Sequence, residues 1–359
     1  MSIRPPRPAR RFALATGALA AVAVVAAAYT AALRRAERRL ARASEVIATR
    51  FGTLEYAVRG QGPPILMVHG TGGGFDQGLS FGAGLRQRGY QIIAPSRFGY
   101  LRSDYPAVPS SANQADTFVA LLDHLGIDRL PVVGGSAGAL SAVAFALRHP
   151  ERCSLLILLV PAANVSGRDP VEMTALQQLL VERVLGSDFA YWSARTVAPK
   201  RLIGTLLATD PALLDRVEPG ERARAYRILD EMLPVSARVR GIRNDARRAS
   251  APGAVAYRDI AVPTLIVSVE DDRFGTAATA RYLAATIRDS RLVILLRGGH
   301  IWLGADDAVA EHVVRFISEQ GAEPRLHSPR QSAAPMTDRS WPLAPILRQS
   351  PSDPTTRRD

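Results

Sequence analysis

The first regular feature in the pattern of apolar and polar positions is a run of 22 residues without a charge. It extends from Phe12 to Leu33 (FALATGALAAVAVVAAAYTAAL), with Arg4, Arg7, Arg10 and Arg11 before it and Arg34, Arg35, Arg38, Arg39 and Arg42 after it. A helix of that length rises about 33 Å, close to the roughly 30 Å hydrocarbon core of a bilayer. The run predicts a single-pass membrane anchor near the amino terminus. A cleaved signal peptide and a soluble alanine-rich helix are the competing readings; the arginines directly after the run argue against cleavage there. Arginine is about equally dense on both sides, so the charge rule for loops gives no orientation, and the side of the membrane stays open. Residues 33–50 read as an arginine-rich helix or stalk leading into the folded body.

Beyond the stalk the period shortens. Residues 45–59 read as two short strands around Gly52. Pro64–Val68 (PILMV), Gln91–Ala94, Leu130–Val133, Leu155–Val160, Thr264–Val269 and Leu292–Leu296 are short, apolar and strand-like. Asp76–Arg88, Asn113–Leu125, a stretch from about Ala137 to Arg148, and Asp306–Ile317 carry helical spacing. Buried strands alternating with helices predict an α/β fold whose mostly parallel sheet is covered on both faces. Residues 163–259 break the rhythm: the pattern there is helical without a clear buried strand, as expected of a cap over one end of the sheet. After Gln320 seven prolines and little apolar periodicity predict a disordered tail. The expected organisation is an anchor and stalk over 1–50, a core from 51–162 and 260–319, a cap over 163–259, and a tail over 320–359.

Charge changes this picture only at the ends. The net charge is +12, but residues 1–50 hold ten arginines and two glutamates, and residues 320–359 hold six arginines and four acids. The body between them carries only +2, so a nucleic-acid partner is not expected. The basic excess beside an apolar run suits a membrane surface instead. Cys153 is the sole cysteine and opens an apolar strand, which excludes an intrachain disulfide and marks a buried structural thiol. No metal-ligand spacing or cofactor loop is present, so neither a metal nor an organic cofactor is expected.

The candidate chemistry centres on VVGGSAGALSAVAF, Val132 to Phe145. Gly134-Gly135-Ser136-Ala137-Gly138 fits G-x-S-x-G between a strand and a helix, a turn that would lift a serine oxygen to the carboxyl end of the sheet. The bland alternative is a tight turn with an inert serine. A phosphate loop is excluded by the absence of Gly-Lys-Ser/Thr and of G-x-G-x-x-G. A serine nucleophile requires a base, itself oriented by an acid. His124, His149, His312 and His327 fall on helices, helix ends or the tail, while His300 sits in RGGH just after a strand. For the acid, the strand TLIVSV runs into Glu270-Asp271-Asp272; Asp272 is preferred, with Asp271 open.

These features resemble the α/β-hydrolase superfamily over roughly residues 53–317. The resemblance rests on the His69-Gly70 loop, SRFGYLRSD (Ser96–Asp104), the serine turn, PTLIVSVEDD and the GGH loop. It implies an eight-stranded sheet with a helical cap after the sixth strand, and Ser136 as nucleophile, His300 as general base and Asp272 as the orienting acid. It further implies an oxyanion hole from the N–H groups of Ala137 and Thr71, with Gly72 possible for the second, and a structural or pocket-lining His69. The expected activity is hydrolysis of an ester or related carbonyl compound on a small, apolar substrate. Carbon–carbon bond hydrolysis and perhydrolase chemistry use the same triad. A membrane-tethered binding protein without catalysis is the alternative of another class. Phe189, Tyr191 and Trp192 are expected in the cap, in its core or along an apolar pocket.

Overall fold

The structure, a computed structural model, describes residues 7–41, 43–165, 182–250, 255–321 and 325–326. Its first element is a helix of 34 residues, α1 (Arg7–Leu40), followed by β1 (Glu45–Thr49) and β2 (Gly52–Arg59), antiparallel to one another. The expected stalk is thus helical only to Leu40, and its last residues already belong to the sheet.

The sheet continues with β3 (Pro64–Val68), β4 (Gln91–Pro95), β5 (Ile127–Gly135), β6 (Cys153–Leu159), β7 (Thr264–Val269) and β8 (Ser290–Leu295). Their spatial order is β1-β2-β4-β3-β5-β6-β7-β8. Every neighbouring pair from β4 to β8 is parallel, while β2 pairs with β4 antiparallel. The mostly parallel sheet expected from the α/β pattern is therefore present, with the eight strands that the resemblance implies. A short β9 (Arg325–Leu326) pairs with the start of β5, within the segment read as a disordered tail; the rest of that tail from residue 327 lies outside the described residues.

Burial explains why these segments are strands. All five residues of β3, all seven of β6 and all six of β7 are buried, so both faces need apolar side chains and alternation disappears. Ile65, Leu66, Met67 and Val68 have no exposed surface, and each such side chain contributes about 1.5–3 kcal/mol relative to exposure. One face is covered by α4 (Ser111–His124), α5 (Gly138–Arg148) and α10 (Thr276–Thr286), with Phe118, Leu121, Phe145 and Leu283 in the shared core. The other is covered by α2 (Phe75–Phe81), α3 (Ala83–Gln87) and α11 (Asp306–Glu319), through Phe75, Leu85, Val313 and Phe316.

Between β6 and β7 the described chain is helical: α6 (Asp188–Val197), α7 (Pro199–Thr205), α8 (Pro219–Glu231) and α9 (Val239–Ser250). These helices share a separate apolar core around Tyr191, Ile203, Leu214, Leu229 and Val235. Parts of the expected cap, residues 166–181 and 251–254, lie outside the described residues.

Candidate active site

In a parallel sheet every strand delivers its following loop to the same edge, so four loops converge beyond the carboxyl ends of β3, β5, β7 and β8. The turn after β5 is tight. Ser136 has φ of 50°, a left-handed conformation that a side chain tolerates only when its surroundings fix it. Its N–H donates to the Leu159 carbonyl at 2.9 Å, and its carbonyl accepts from Ala139 and Ala162 at 3.0 and 3.1 Å. The glycines answer a packing demand. A Cβ on Gly138 would stand 2.4 Å from the Val68 carbonyl oxygen, and one on Gly134 would stand 2.7 Å from Ala142 Cβ. The small residues let α5 start directly against β3.

The imidazole comes from farther away. β8 lies three strands from β5, roughly 14 Å at about 4.8 Å per strand. The chain recovers that distance after β8 through Gly298 and Gly299, both at positive φ (137° and 62°), which fold His300 back over β7 toward β5. There His300 Nε2 lies 2.9 Å from Ser136 Oγ, and its Nδ1 lies 2.8 Å from Asp272 Oδ2. The hydroxyl, imidazole and carboxylate thus form one hydrogen-bonded line. The Phe274 ring stands edge-on to the imidazole, with centroids 4.8 Å apart.

Of the adjacent acids, Asp272 is the one that meets the ring; Asp271 instead accepts from the Gly299 N–H at 2.8 Å and so shapes the histidine turn. Asp272 Oδ1 accepts from the Phe274 N–H at 2.9 Å, and Oδ2 also accepts from the Thr276 hydroxyl. Burial alone would push the Asp272 carboxyl up. The hydrogen bond and charge of His300, with the Thr276 and Phe274 donors, outweigh it and hold the group below the usual carboxylate value. Asp272 is then an anion that can keep the Nδ1–H tautomer and leave Nε2 free to accept the serine proton.

Ala137 is buried and caps the amino end of α5, where helix N–H groups favour negative charge. Across from it runs the loop after β3. Gly72 N–H donates to the Tyr100 hydroxyl at 3.3 Å. His69 is fully buried and belongs to the scaffold: its Nε2 accepts from the Arg97 N–H at 2.9 Å, and its Nδ1 faces the Gly70 carbonyl at 2.7 Å. Burial, reinforced by the Arg97 charge, holds this imidazole well below its ordinary value, hence neutral.

Sequence reasoning did not anticipate the polar frame under this loop. Arg97 donates to the carbonyls of His69 and Gly70 at 2.9 and 3.0 Å and pairs with Asp245 of α9 at 2.6 and 2.7 Å. Asp245 also accepts from the Tyr100 hydroxyl at 2.5 Å and the Thr71 hydroxyl at 3.0 Å. Burial works against the Arg97 charge, but Asp245 overrides it and raises the guanidinium further. A second tie lies behind it: the fully buried Arg238 donates to the Gly73 carbonyl and pairs with Asp76 at 2.7 Å. Arg97 sits in SRFGYLRSD, so its loop had a signal. Asp245 and Arg238 lie in an ordinary amphipathic, arginine-rich stretch and had none. Among the described residues no group of three or more His, Cys, Asp or Glu side chains could hold a metal ion.

Comparison with known proteins agrees with this architecture. An uncharacterized hydrolase of Bacillus subtilis (strain 168), YcgS, is 30% identical over 278 residues, covering 74% of this chain and 94% of its own. A 2-hydroxy-6-oxononadienedioate/2-hydroxy-6-oxononatrienedioate hydrolase of Paraburkholderia xenovorans (strain LB400) is 27% identical over 73% of this chain and 87% of its own. An alpha/beta hydrolase fold protein from Nakamurella multipartita superposes with a TM-score of 0.60 at 26% identity, covering 77% of this chain and 99% of that one. The family model of the alpha/beta hydrolase fold matches residues 63–304, and with the strand order, the serine turn and these relatives the chain belongs to that family as a hydrolase.

Proposed function

We propose that the protein is a serine hydrolase of carbonyl substrates, working through Ser136, His300 and Asp272. The observation that carries this reading is the continuous line from Ser136 Oγ through His300 to Asp272, at 2.9 and 2.8 Å. Ser136 attacks the carbonyl carbon while its proton passes to His300 Nε2. Asp272 steadies the imidazolium. The N–H groups of Ala137 and Thr71 receive the oxyanion, each such donor being worth roughly 3–4 kcal/mol in the transition state. His300 then gives the proton to the leaving group, and water, activated by the same histidine, releases the acyl group and restores the serine.

The first reading is ester hydrolysis on a small apolar substrate. A second, hydrolysis of a carbon–carbon bond beside a ketone, is favoured by relatives named as hydrolases of 2-hydroxy-6-oxo dienoates. We further propose that residues 12–33 anchor the enzyme in a membrane. The charge-free run with its flanking arginines supports this. So do the contacts of Tyr29, inside the run, with Phe189 and Trp192, which cleavage after the run would remove.

The test uses the full chain in detergent with a fluorophosphonate probe, nitrophenyl esters of graded acyl length, and a 2-hydroxy-6-oxo dienoate. The expected outcome is covalent labelling and turnover of one substrate class, both lost in Ser136→Ala. A folded protein that is neither labelled nor active on any of them would overturn the proposal in favour of a tethered binding protein.

A further inference from the structure

The anchor helix does not leave the body as a free stalk. The Tyr29 ring lies 5.3 Å, edge-on, from Phe189 and 5.6 Å from Trp192, both on α6. One to three turns later, Ala32, Arg35, Ala36 and Arg39 face Trp192, Arg195 and Thr196 across a cavity of about 450 Å³. Tyr29 meets Phe189 at the start of α6, and farther along Arg39 and Arg195 both bond Asp230, so α6 runs alongside α1 in the same direction. Arg39 closes the contact, donating to the carbonyls of Glu231 and Leu233 at 3.0 and 2.8 Å and to Asp76 at 3.2 Å.

This fixes the height of α6 relative to the apolar run. Tyr29 precedes Leu33, the last uncharged residue, by four positions, or about 6 Å along a helix. Phe189, which touches Tyr29, therefore stands below the level at which the run ends. Phe189 is nonetheless 49% exposed. Just above it Arg34, Arg35 and Arg38 are exposed, against Glu37 alone on that stretch of α1. Aromatic rings at the level where apolar surface ends, with arginines directly above, match the order of layers at an anionic lipid surface.

We propose that the first turn of α6, carrying Phe189 and Trp192, is seated in the interfacial layer of an anionic bilayer beside the anchor. The helical segment above the sheet is then held on the lipid at two points rather than swinging from one. This inference rests on the anchor reading of residues 12–33, and its test separates the two.

The full chain is labelled with an environment-sensitive fluorophore at Phe189→Cys, at Val24→Cys within the run, or at Ser318→Cys, exposed near the end of α11. The native Cys153 is buried and stays unlabelled. Each is reconstituted into phosphatidylcholine–phosphatidylglycerol vesicles carrying nitroxide lipids with the spin label near the headgroup or deep in the chain. The expected result is shallow quenching at 189 at least about twofold stronger than at 318, and deep quenching at 24. Shallow quenching at 189 also weakens when phosphatidylglycerol is omitted. Quenching at 189 no stronger than at 318, with 24 still quenched, overturns the inference and leaves the anchor standing. No quenching at 24 overturns both. Equal quenching at 189 with and without phosphatidylglycerol overturns the choice of an anionic surface.

Discussion

Asp245→Asn probes the frame that holds the proposed oxyanion loop. Asp245 accepts four hydrogen bonds: two from Arg97 at 2.6 and 2.7 Å, one from Tyr100 at 2.5 Å and one from Thr71 at 3.0 Å. The side chains of Arg97 and Asp245 are 6% and 4% exposed, so water cannot replace a lost partner. Asparagine keeps the shape but removes the charge and turns an acceptor into a donor facing a guanidinium. Arg97 then stays buried without its counter-charge, left with the carbonyls of His69 and Gly70 and the single oxygen that asparagine retains. Breaking a buried pair on one side costs about 3–5 kcal/mol. At about 2–4 °C per kcal/mol for a body of this size, the melting midpoint should fall by roughly 10 °C. The assay is thermal unfolding in detergent followed by near-ultraviolet circular dichroism, with ester turnover measured below the transition. Turnover should fall about 10- to 100-fold, because the Thr71 peptide loses its tie. The double variant Arg97→Met/Asp245→Leu should recover most of the stability, since apolar replacements of a whole buried pair are often neutral. It should not recover activity, because the Arg97 bonds to His69 and Gly70 are gone. A melting midpoint for Asp245→Asn within about 2 °C of the parent would refute the assignment of this pair as the frame.

Asp272→Asn should lower kcat on the order of 10⁴-fold while the fold persists, because an amide no longer fixes the histidine tautomer; loss under about tenfold would move the acid elsewhere. The Asp272 carboxyl is held below its ordinary value of 3.8, so its contribution to stability is complete above that value and is lost as pH falls through the lower folded value. Acid titration of stability should therefore be displaced in Asp272→Asn. Glu231 behaves oppositely: burial, then the nearby Asp76, push it up to about 7 from 4.5, so the parent loses stability as pH rises between those values. Glu231→Gln should flatten that fall and melt higher than the parent at about pH 8, and identical pH profiles would sink the assignment. Gly138→Ala would drive a methyl group into the carbonyls of Val68 and His69, at 2.4 and 2.5 Å, and should cost about 1–3 kcal/mol or more with loss of probe labelling; a variant that labels and melts like the parent would contradict the close approach.

Much of the core was legible because it obeys local rules. The runs PILMV and LLILLV are apolar throughout and TLIVSV is apolar but for Thr264 and Ser268, as suits strands buried on both faces, and they became β3, most of β6 and β7. The glycines around Ser136 and in RGGH were legible for a related reason: chain reversals that tight require small residues or positive φ, and the requirement is written at fixed offsets. The ambiguity between Asp271 and Asp272 could not be resolved the same way. Both follow β7, and only the direction of each side chain separates the one on His300 from the one on Gly299.

The apolar run, the alternation of strands and helices, and the order of serine, acid and histidine were determined by the sequence itself, since each depends on neighbours a few residues apart or on the parallel rule that sends every loop to one edge. The tertiary structure alone decided which distant charges meet. Arg97 with Asp245 is separated by 148 positions, and Arg238 with Asp76 by 162. It also decided that Phe189 and Trp192 meet Tyr29 of α1, while Tyr191 turns inward to the Leu229 carbonyl. A charged or aromatic side chain on an amphipathic helix satisfies the local pattern whichever partner it finds, so its partner is set by how helices pack, not by the residues beside it.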